Sequence, residues 1–286
     1  MRAAVLGSPI AHSLSPVLHV AAYQTLALTG WSYQAIECTQ AGLPEFLGGC
    51  GGDWAGLSLT MPLKRAVLPL LDQVEPLAAE VGGANTVIFE AGARRGHNTD
   101  VPGMIAALAA AGVRAADVAA EPALILGGGA TACSALASLR GLGATGATVA
   151  VRDPARAADL LAAADRLGMR VGLIPFGEYE QASRGWRLLI STVPAGAADS
   201  YAERMPPPGP EPRFVLDVVY HPWPTRLAAA AGQASAVAVS GFELLLHQAG
   251  PQVRLMTGRP APLAEMRAAG LAEIARRRRG RAGAPR

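Results

Sequence analysis

The sequence predicts an α/β protein built from two domains. Short apolar runs alternate with longer helical segments along its 286 residues, which is typical of βαβ units around a mostly parallel sheet. Near the middle of the chain a glycine-rich turn, "LILGGGATA", joins an apolar strand to an alanine-rich helix. Hydrophobic residues make up 51% of the sequence and charged residues 16%, so there is enough apolar material for two cores.

The N-terminal region carries signals for strands, a helix and a hairpin. "AAVLG" predicts the first strand, and Ser15 as N-cap followed by Pro16 predicts a helix that Gly30 ends. "YQAIEC" and "GLSLT" predict two more strands. "NTVIFE" and "RRGHNTD" flank a glycine-containing turn and predict a hairpin.

A second region is expected from about residue 101. "VPGMIAALAAAGV" predicts a helix that leaves the first region, and strands are predicted within "PALIL", "ATVAV", "MRVGLIPF", "RLLIST", "RFVLDVVY" and "AVAVSG". Pro251, inside the last long helical segment, predicts a kink or break. We therefore expect one domain over residues 1–101 plus 241–275 and a second over residues 102–240.

The positive charge lies at the end of the chain. The formal net charge is +3, but six of the 25 basic residues are arginines within residues 276–286, so the preceding residues carry about −3. A terminal arginine run is typical of a solvated chain end, so we predict a disordered basic tail over 276–286 and no nucleic-acid partner.

Cysteine usage and apolar patterning indicate the compartment. The three cysteines, Cys38, Cys50 and Cys133, show no CxxC spacing, which favours a reducing compartment and predicts no metal site. No apolar run reaches the ~20 residues of a membrane helix, and polar residues interrupt the N-terminal stretch before a signal peptide could form. We expect a cytoplasmic protein with no membrane partner.

The glycine turn indicates a nucleotide site. Gly127, Gly129 and Ala132 fit the GxGxxA pattern, and Gly128 and Ala130 complete the turn. Glycines permit the tight turn and let backbone amides approach a pyrophosphate, which the following helix N-terminus attracts. The position of the pattern between a strand and a helix makes it more specific than the glycines alone.

Cofactor choice is predicted from the residues about 20 positions later, where NAD sites commonly have an acid. Here Val151 offers no carboxylate, Arg152 follows it, and Arg156 lies one turn further along. An arginine can pair with a 2′-phosphate through two hydrogen bonds, so NADP is predicted. Asp153 could accept hydrogen bonds from ribose hydroxyls, which leaves NAD open.

The chain contains one lysine, Lys64, beside 24 arginines. A lysine can lose its proton at a workable pH and an arginine cannot, so Lys64 could do chemistry that a guanidinium cannot; chance survival of a surface lysine is the alternative. The other side chains that suit a small polyhydroxylated substrate and a proton transfer are Ser13, Ser15, Asn85, Asn98, Thr99 and Asp100. Asp100 could instead simply cap the helix that follows it.

Taken together, these stretches resemble the shikimate dehydrogenases. Eight motifs occur in the family's order over about residues 3–265: "GSPIAHSLSPVLH", "LTMPLK", "GGANT", "HNTD", "LGGGATA", "STVPAG", "DVVYHPWPT" and "SGFELLLHQAGPQVRLMTG". The resemblance implies an α/β substrate-binding domain, a Rossmann-type NADP-binding domain, C-terminal helices that return to the first domain, and an active-site cleft between the two.

The resemblance also implies a reaction and residue roles. The reaction is the reversible reduction of 3-dehydroshikimate to shikimate by NADPH, within chorismate and aromatic amino acid biosynthesis. Lys64, as proton donor and acceptor, and Asp100 would form the catalytic pair, and no metal is required. Substrate contacts would come from Ser13 and Ser15 on the carboxylate and from Thr60, Asn85, Tyr220 and Gln248. Cofactor contacts would come from Gly127, Gly128, Gly129, Ala130, Arg152, Arg156, Thr192, Val218 and Gly241.

Departures from the family pattern keep alternatives open. The family usually has asparagine where Ser58 stands, which would loosen one contact near the substrate. Its "NTDG" is "NTDV" here, and Val151 and Asp153 replace the polar neighbours of Arg152 in its "NRT" signature. The alternatives are a quinate or aminoshikimate dehydrogenase with NAD or dual cofactor use, and a non-catalytic nucleotide-sensing module. Either a monomer or a homodimer is expected.

Overall fold

The computed structural model describes residues 1–119, 123–178 and 186–282, and for residues 156 and 280–282 it describes the backbone alone. The chain divides into two compact units. The first comprises Met1–Ala79, Gly83–Thr99 and Leu246–Arg286, and the second comprises Glu80–Gly82 and Asp100–Leu245. The functional division into a substrate-binding and a nucleotide-binding domain stays a prediction.

The first unit contains a mixed six-stranded sheet. Its strands are β1 (Arg2–Gly7), β2 (Ser32–Glu37), β3 (Trp54–Leu59), β4 (Gln73–Val74), β5 (Thr86–Glu90) and β6 (Ala93–His97). They lie in the order β2-β1-β3-β5-β6-β4, with β1 parallel to β2 and β3, and β5 antiparallel to β3 and β6. The predicted first three strands and the hairpin are confirmed.

Burial explains why the middle of this sheet forms. All six residues of β3 are buried, so this strand is covered on both faces rather than alternating between buried and exposed residues. Leu6 of β1 and Leu57 of β3 pack with Leu63 and Val67, which follow β3, in one apolar cluster. The segment that carries Lys64 is therefore fixed by the core on both sides.

The second unit contains a parallel six-stranded sheet. Its strands are β7 (Ala123–Leu126), β8 (Gly146–Val151), β9 (Arg170–Pro175), β10 (Leu188–Ser191), β11 (Phe214–Asp217) and β12 (Val237–Ser240). They lie in the order β9-β8-β7-β10-β11-β12, which is the 3-2-1-4-5-6 order of the Rossmann fold. The strand order reverses between β7 and β10, and ligands of such sheets bind beside the carboxyl ends of these strands.

Helices connect the strands in both units. They are α1 (Ser15–Thr25), α2 (Leu43–Gly48), α3 (Leu63–Ala66), α4 (Pro76–Val81), α5 (Asp100–Ala110), α6 (Ala115–Ala119), α7 (Ala130–Gly141), α8 (Ala158–Leu167), α9 (Asp199–Ala202), α10 (Arg226–Gln233), α11 (Gly241–Thr257) and α12 (Leu263–Ala282). Short 3-10 turns lie at Leu68–Leu70 and Pro154–Arg156. In the part of the chain that the structure describes, no helix is both long and apolar enough to cross a membrane.

Helix α1 differs from its prediction at both ends. Leu14 occupies the N-cap position and Ser15 is the first helical residue, so the prediction of Ser15 as N-cap was wrong by one position. The helix ends at Thr25, and Ala27 adopts the left-handed conformation at φ 52°, a position that glycine usually fills. The predicted end at Gly30 was therefore wrong, because Ala27 already adopts the left-handed conformation that ends the helix.

Helix α11 continues through Pro251, where a kink or break was predicted. Leu246 and Ala249 before the proline, and Val253 and Met256 after it, are all buried. A proline inside a helix costs about 3 kcal/mol, whereas full burial of one large apolar side chain contributes about 1.5–3 kcal/mol. Burial on both sides of the proline thus favours one unbroken helix.

The arginine-rich end also differs from its prediction. Residues 276–282 belong to α12, so the prediction of a disordered tail was wrong for this segment, and residues 283–286 lie outside the described residues. Arg276 and Arg277 both pair with Glu273, three and four residues earlier. Such pairs on one helix face support helical structure where the sequence alone suggests repulsion between like charges.

Candidate active site

The predicted substrate residues Asn85 and Gln248 meet in the first unit. The Asn85 side-chain amide Nδ2 donates to Gln248 Oε1 at 3.2 Å and to Thr99 Oγ1 at 2.9 Å. Asn85 Oδ1 accepts from the Thr99 backbone N–H at 2.8 Å. Asn85 is 2% exposed and Gln248 7% exposed. Both carboxamides are thus held in fixed orientations, as a site for a hydroxylated ligand requires.

A chain of buried hydrogen bonds continues from this pair into the core of the first unit. The Tyr33 hydroxyl donates to Ser58 Oγ at 2.6 Å, and Ser58 Oγ donates to Gln252 Oε1 at 2.8 Å. Gln252 Nε2 donates to Thr86 Oγ1 at 2.9 Å, and Thr86 Oγ1 donates to Asn85 Oδ1 at 3.0 Å. The orientation of the Asn85 amide is therefore set by a continuous network rather than by one contact.

Gln252 was missed at the sequence level. It lies four residues after Gln248 on α11, so the two side chains share one helix face. That spacing is the signal that could have identified Gln252. Its partners could not have been found the same way, because Ser58 lies 194 residues away in the sequence.

His19 and Tyr33 give the buried end of this network a neutral character. Their rings stack with centroids 4.0 Å apart, and His19 Nε2 lies 3.3 Å from Gln252 Oε1. Burial lowers the pKa of His19 from 6.5 to about 3 and raises the pKa of Tyr33. At neutral pH both rings are therefore uncharged, and the network contains only neutral donors and acceptors.

Lys64 lies in the short helix α3, half-buried. The turn into this helix begins at Thr60, whose carbonyl accepts from the Leu63 N–H at 2.8 Å. The Lys64 carbonyl accepts from the Ala84 N–H at 2.8 Å, and Asn85 follows Ala84 directly. The structure therefore brings the main chain of Lys64 next to the segment that carries Asn85.

Ser13 and Ser15 lie in and just after the turn that connects β1 to α1. The Ser13 N–H donates to the Ile10 carbonyl at 2.9 Å, and Ser13 Oγ accepts from the Ser15 N–H at 3.2 Å. Ser13 is half-buried and Ser15 is buried. The two hydroxyls thus occupy a segment whose backbone is already shaped by local hydrogen bonds.

In the second unit, the glycine turn lies at the carboxyl end of β7. Gly127 has φ +107°, and a Cβ added there would lie 2.6 Å from Thr192 Oγ1. Gly129 occupies the N-cap position of α7 and Ala130 is its first residue; among the described residues no side chain caps this helix. The backbone N–H groups at the N-terminus of α7, which no described side chain caps, fit the diphosphate of a dinucleotide.

Three other predicted cofactor residues lie at the neighbouring strand ends. Thr192 follows β10, and its Oγ1 donates to the Leu126 carbonyl at 2.8 Å. Val218 follows β11, and its N–H donates to the Ser191 carbonyl at 3.0 Å. Gly241 begins α11, and a Cβ added there would overlap the Val218 carbonyl oxygen. These residues and the glycine turn share one edge of the parallel sheet, the edge where dinucleotides bind.

The cofactor-selecting stretch follows β8. Val151 is buried and Arg152 is exposed. Asp153 Oδ1 accepts from the Ala155 N–H at 3.0 Å and so caps the 3-10 turn Pro154–Arg156. This hydrogen bond engages the carboxylate that the sequence left as a possible ribose ligand. The side chain of Arg156 lies outside the described residues.

Asp217 is a second residue that sequence reasoning missed. It ends β11 in a buried position and accepts from Thr225 Oγ1 at 2.8 Å and from the Val219 N–H at 3.2 Å. Burial is the main cause that raises the pKa of Asp217 above its ordinary value. The carboxylate shapes the loop that carries Val218 and Tyr220, and its place at a strand end was the available signal.

Asp100 and Tyr220 belong to the second unit, and Lys64 belongs to the first. Asp100 is the buried first residue of α5 and follows Thr99 directly in the sequence. Tyr220 is half-buried in the loop after β11. The pairing of Lys64 with Asp100 stays a prediction.

Comparisons with known proteins identify relatives of the N-terminal region and of nearly the whole chain. Residues 5–87 match the family model described as "Shikimate dehydrogenase substrate binding domain". A protein of Thermus thermophilus named shikimate dehydrogenase (NADP(+)) is 37% identical over 282 residues, 98% of this chain and 99% of the relative.

Solved structures give the same result. The crystal structure of Mycobacterium tuberculosis shikimate dehydrogenase matches with a TM-score of 0.82 and 42% identity, over 95% of this chain and 99% of that chain. The Thermus thermophilus shikimate 5-dehydrogenase in complex with NADP(H) and shikimate matches with a TM-score of 0.81 and 35% identity, over 95% and 99%. Similarity at this level along nearly the whole length confirms the predicted resemblance, and the chain belongs to the shikimate dehydrogenase family.

Proposed function

We infer that this chain is an NADP-dependent shikimate dehydrogenase that catalyses the reversible reduction of 3-dehydroshikimate to shikimate. The observation that carries the inference is the full-length similarity to the Thermus thermophilus structure in complex with NADP(H) and shikimate. The retention of Lys64 and Asp100 beside that similarity favours an active enzyme over a nucleotide-sensing module.

Lys64 is the proposed proton donor and acceptor. When bound, NADPH supplies the hydride. The Lys64 ammonium donates its proton to the oxygen that gains negative charge at the former carbonyl, and in the reverse direction the neutral amine takes the hydroxyl proton. A positioned acid–base group of this kind contributes ~10²–10⁴-fold in rate. Asp100 accepts hydrogen bonds from the amine and from the substrate hydroxyl, which orients both groups for the transfer.

Polar side chains of the first unit are proposed to bind the substrate. Ser13 and Ser15 donate to the carboxylate, and Asn85 and Gln248 bind ring hydroxyls. The fixed orientation of the Asn85 amide, set by its bonds to Thr99 and Gln248, supports this role because a pre-oriented amide loses little entropy on binding. Thr60 and Tyr220 are the remaining proposed substrate contacts.

The glycine turn and the strand ends beside it are proposed to bind NADP. Gly127, Gly128, Gly129 and Ala130 would hold the diphosphate at the N-terminus of α7. Thr192, Val218 and Gly241 would lie beside the nicotinamide half. Among the described residues no side chain caps the N-terminus of α7, which supports the assignment.

Arg152 is proposed to select NADP over NAD by pairing with the 2′-phosphate. The exposure of Arg152 supports this choice. Asp153 Oδ1 accepts from the Ala155 N–H, and the other carboxylate oxygen can still accept from a ribose hydroxyl. Arg156 is a second proposed phosphate ligand. NAD or dual use is the competing proposal.

We also propose a cytoplasmic location and a role in chorismate and aromatic amino acid biosynthesis. Among the described residues, Cys38, Cys50 and Cys133 form no disulfide, which fits a reducing compartment. A monomer or a homodimer is the proposed assembly.

One assay tests substrate and cofactor together. Purified protein is mixed with shikimate or quinate, each with NADP or NAD, and reduced nicotinamide is followed by absorbance. We expect fast reduction with shikimate and NADP only. Reduction with quinate or with NAD would instead support the alternative specificities. No reduction in any mixture, by protein that still binds NADP, would overturn the proposed activity.

A further inference from the structure

We propose that Arg277, near the end of α12, is a positioning residue for the substrate carboxylate site. It fastens the turn that carries Ser13, and it thereby sets the affinity for substrate without touching it. The inference rests on the proposed function, because that function assigns Ser13 and Ser15 to the carboxylate.

Arg277 forms hydrogen bonds with residues near the start of the chain. Its Nη1 donates to the His12 carbonyl at 2.8 Å, and its Nη2 donates to the Ser13 carbonyl at 3.4 Å. Its Nε donates to Glu273 Oε1 at 2.7 Å, which orients the guanidinium from the opposite side. The Arg277 side chain is 28% exposed and that of Glu273 is 14% exposed, so these bonds are partly shielded from water.

The contacted carbonyls belong to the turn between β1 and α1. Within this turn the Ser13 N–H donates to the Ile10 carbonyl, and Ser13 Oγ accepts from the Ser15 N–H. Local bonds therefore close the turn from inside, and Arg277 holds it from outside. The far end of α1 is held in a similar way, because Arg259, just before α12, donates to the Leu26 carbonyl at 2.6 Å.

A free turn would sample more conformations than a fastened one. If only a fraction of the molecules present both serine hydroxyls correctly, the apparent dissociation constant for substrate rises by the inverse of that fraction. Loss of the Arg277 bonds should therefore weaken shikimate binding, while the chemical step after binding should change little. If Arg277 only stabilised the fold, its loss would not weaken shikimate binding while leaving the chemical step unchanged.

Arg276 offers a matched control. It forms two hydrogen bonds with the same Glu273 at 2.7 and 2.8 Å, and its side chain is 70% exposed. Arg276→Ala removes the same charge from the same helix and breaks the same kind of ion pair. It leaves the bonds to the His12 and Ser13 carbonyls intact.

The test measures steady-state kinetics of shikimate oxidation by NADP in the full chain. Arg277→Ala should raise the KM for shikimate about tenfold, and it should leave kcat and the KM for NADP within about twofold. Arg276→Ala should match the wild type. Arg277→Lys can keep one of the two carbonyl bonds but not both. Its KM for shikimate should therefore lie between those of Arg277→Ala and Arg276→Ala.

A direct binding measurement separates affinity from kinetics. Titration calorimetry of shikimate against each variant should give dissociation constants in the same order as the KM values for shikimate. An unchanged shikimate KM in folded Arg277→Ala, or an equal rise in Arg276→Ala, would overturn the inference while the enzyme remained a shikimate dehydrogenase. A wild type that does not oxidise shikimate would instead overturn the proposed function itself.

Discussion

Ser58 Oγ donates a hydrogen bond to Gln252 Oε1 across 2.8 Å and so connects β3 to α11. The same hydroxyl accepts from Tyr33, so it both donates and accepts in a site that is 4% exposed. Serine in place of the asparagine that the family usually has at this position suggested a loosened contact. In the structure, the smaller side chain is one member of a continuous network that ends on Asn85, and the loosened substrate contact stays a prediction.

Gln252 should therefore be important for stability. Gln252→Leu would leave the Ser58 and Thr86 hydroxyls without one partner each inside the protein, and a buried unsatisfied polar group costs about 1–3 kcal/mol. We expect the free energy of unfolding in urea to fall by about 3 kcal/mol. Arg254→Ala, an exposed position on the same helix, is the control and should change it by less than about 0.5 kcal/mol. Equal effects of the two substitutions would show that the network contributes nothing.

His19 should make stability depend on pH. Burial lowers its pKa in the folded protein from 6.5 to about 3, so between these values the unfolded chain binds one more proton than the folded one. The free energy of unfolding should thus decrease by about 1.4 kcal/mol per unit as the pH falls below the unfolded pKa. Below about pH 3 this contribution is fully lost.

Urea unfolding of wild type and His19→Gln, compared at a mildly acidic pH of about 6 and about 5, isolates this effect. The range lies above the region where Glu273, whose pKa is lowered to about 2 mainly by hydrogen bonds from Arg276 and then Arg277, begins to contribute. The wild type should show the steeper slope by about 1.4 kcal/mol per pH unit. Parallel slopes would mean that His19 titrates alike in both states.

Gly241 should tolerate no side chain. A Cβ there would overlap the Val218 carbonyl oxygen, so Gly241→Ala must displace the backbone that is proposed to lie beside the nicotinamide. We expect a loss of about 1–3 kcal/mol in stability and weaker NADP binding by calorimetry. Gly232→Ala is the control, because Gly232 lies exposed in α10 with nothing within 4 Å of an added Cβ. It should leave NADP binding unchanged and stabilise the protein by up to about 1 kcal/mol.

Arg152 should distinguish the two cofactors. Arg152→Ala removes a guanidinium that is proposed to pair with the 2′-phosphate, so the KM for NADP should rise about tenfold or more while the KM for NAD changes by less than about twofold. Arg170→Ala, at the opposite end of the neighbouring strand β9, should affect neither. Equal weakening of NADP and NAD would show that Arg152 does not contact the phosphate.

The sequence predicted the elements that depend on local pattern. The apolar strands, the hairpin and the glycine turn before α7 were all confirmed, because strand burial and glycine conformations follow from neighbouring residues. The end of α1 was wrong because Ala27 adopts a conformation that local rules assign to glycine. The continuity of α11 through Pro251 depends on burial against distant residues, which no local rule contains.

The site shows the same division. Lys64, Asn85 and the glycine turn were predicted as site residues from residue chemistry and motif resemblance, and these roles stay predictions. Gln252 and Arg277 were not, since Ser58 lies 194 residues from Gln252, and His12 and Ser13 lie 265 and 264 residues from Arg277. Residues that position a site act through such long-range contacts, whereas residues that touch a ligand carry their own chemical signature.

The proposed role of Lys64 is tested most directly by the kcat of Lys64→Arg for shikimate oxidation by NADP, measured beside the wild type. An arginine keeps the positive charge but cannot accept a proton, so we expect a folded variant that binds NADP normally and turns over at least about 100-fold more slowly. Turnover within a few-fold of the wild type would contradict the assignment of Lys64 as the group that moves the proton.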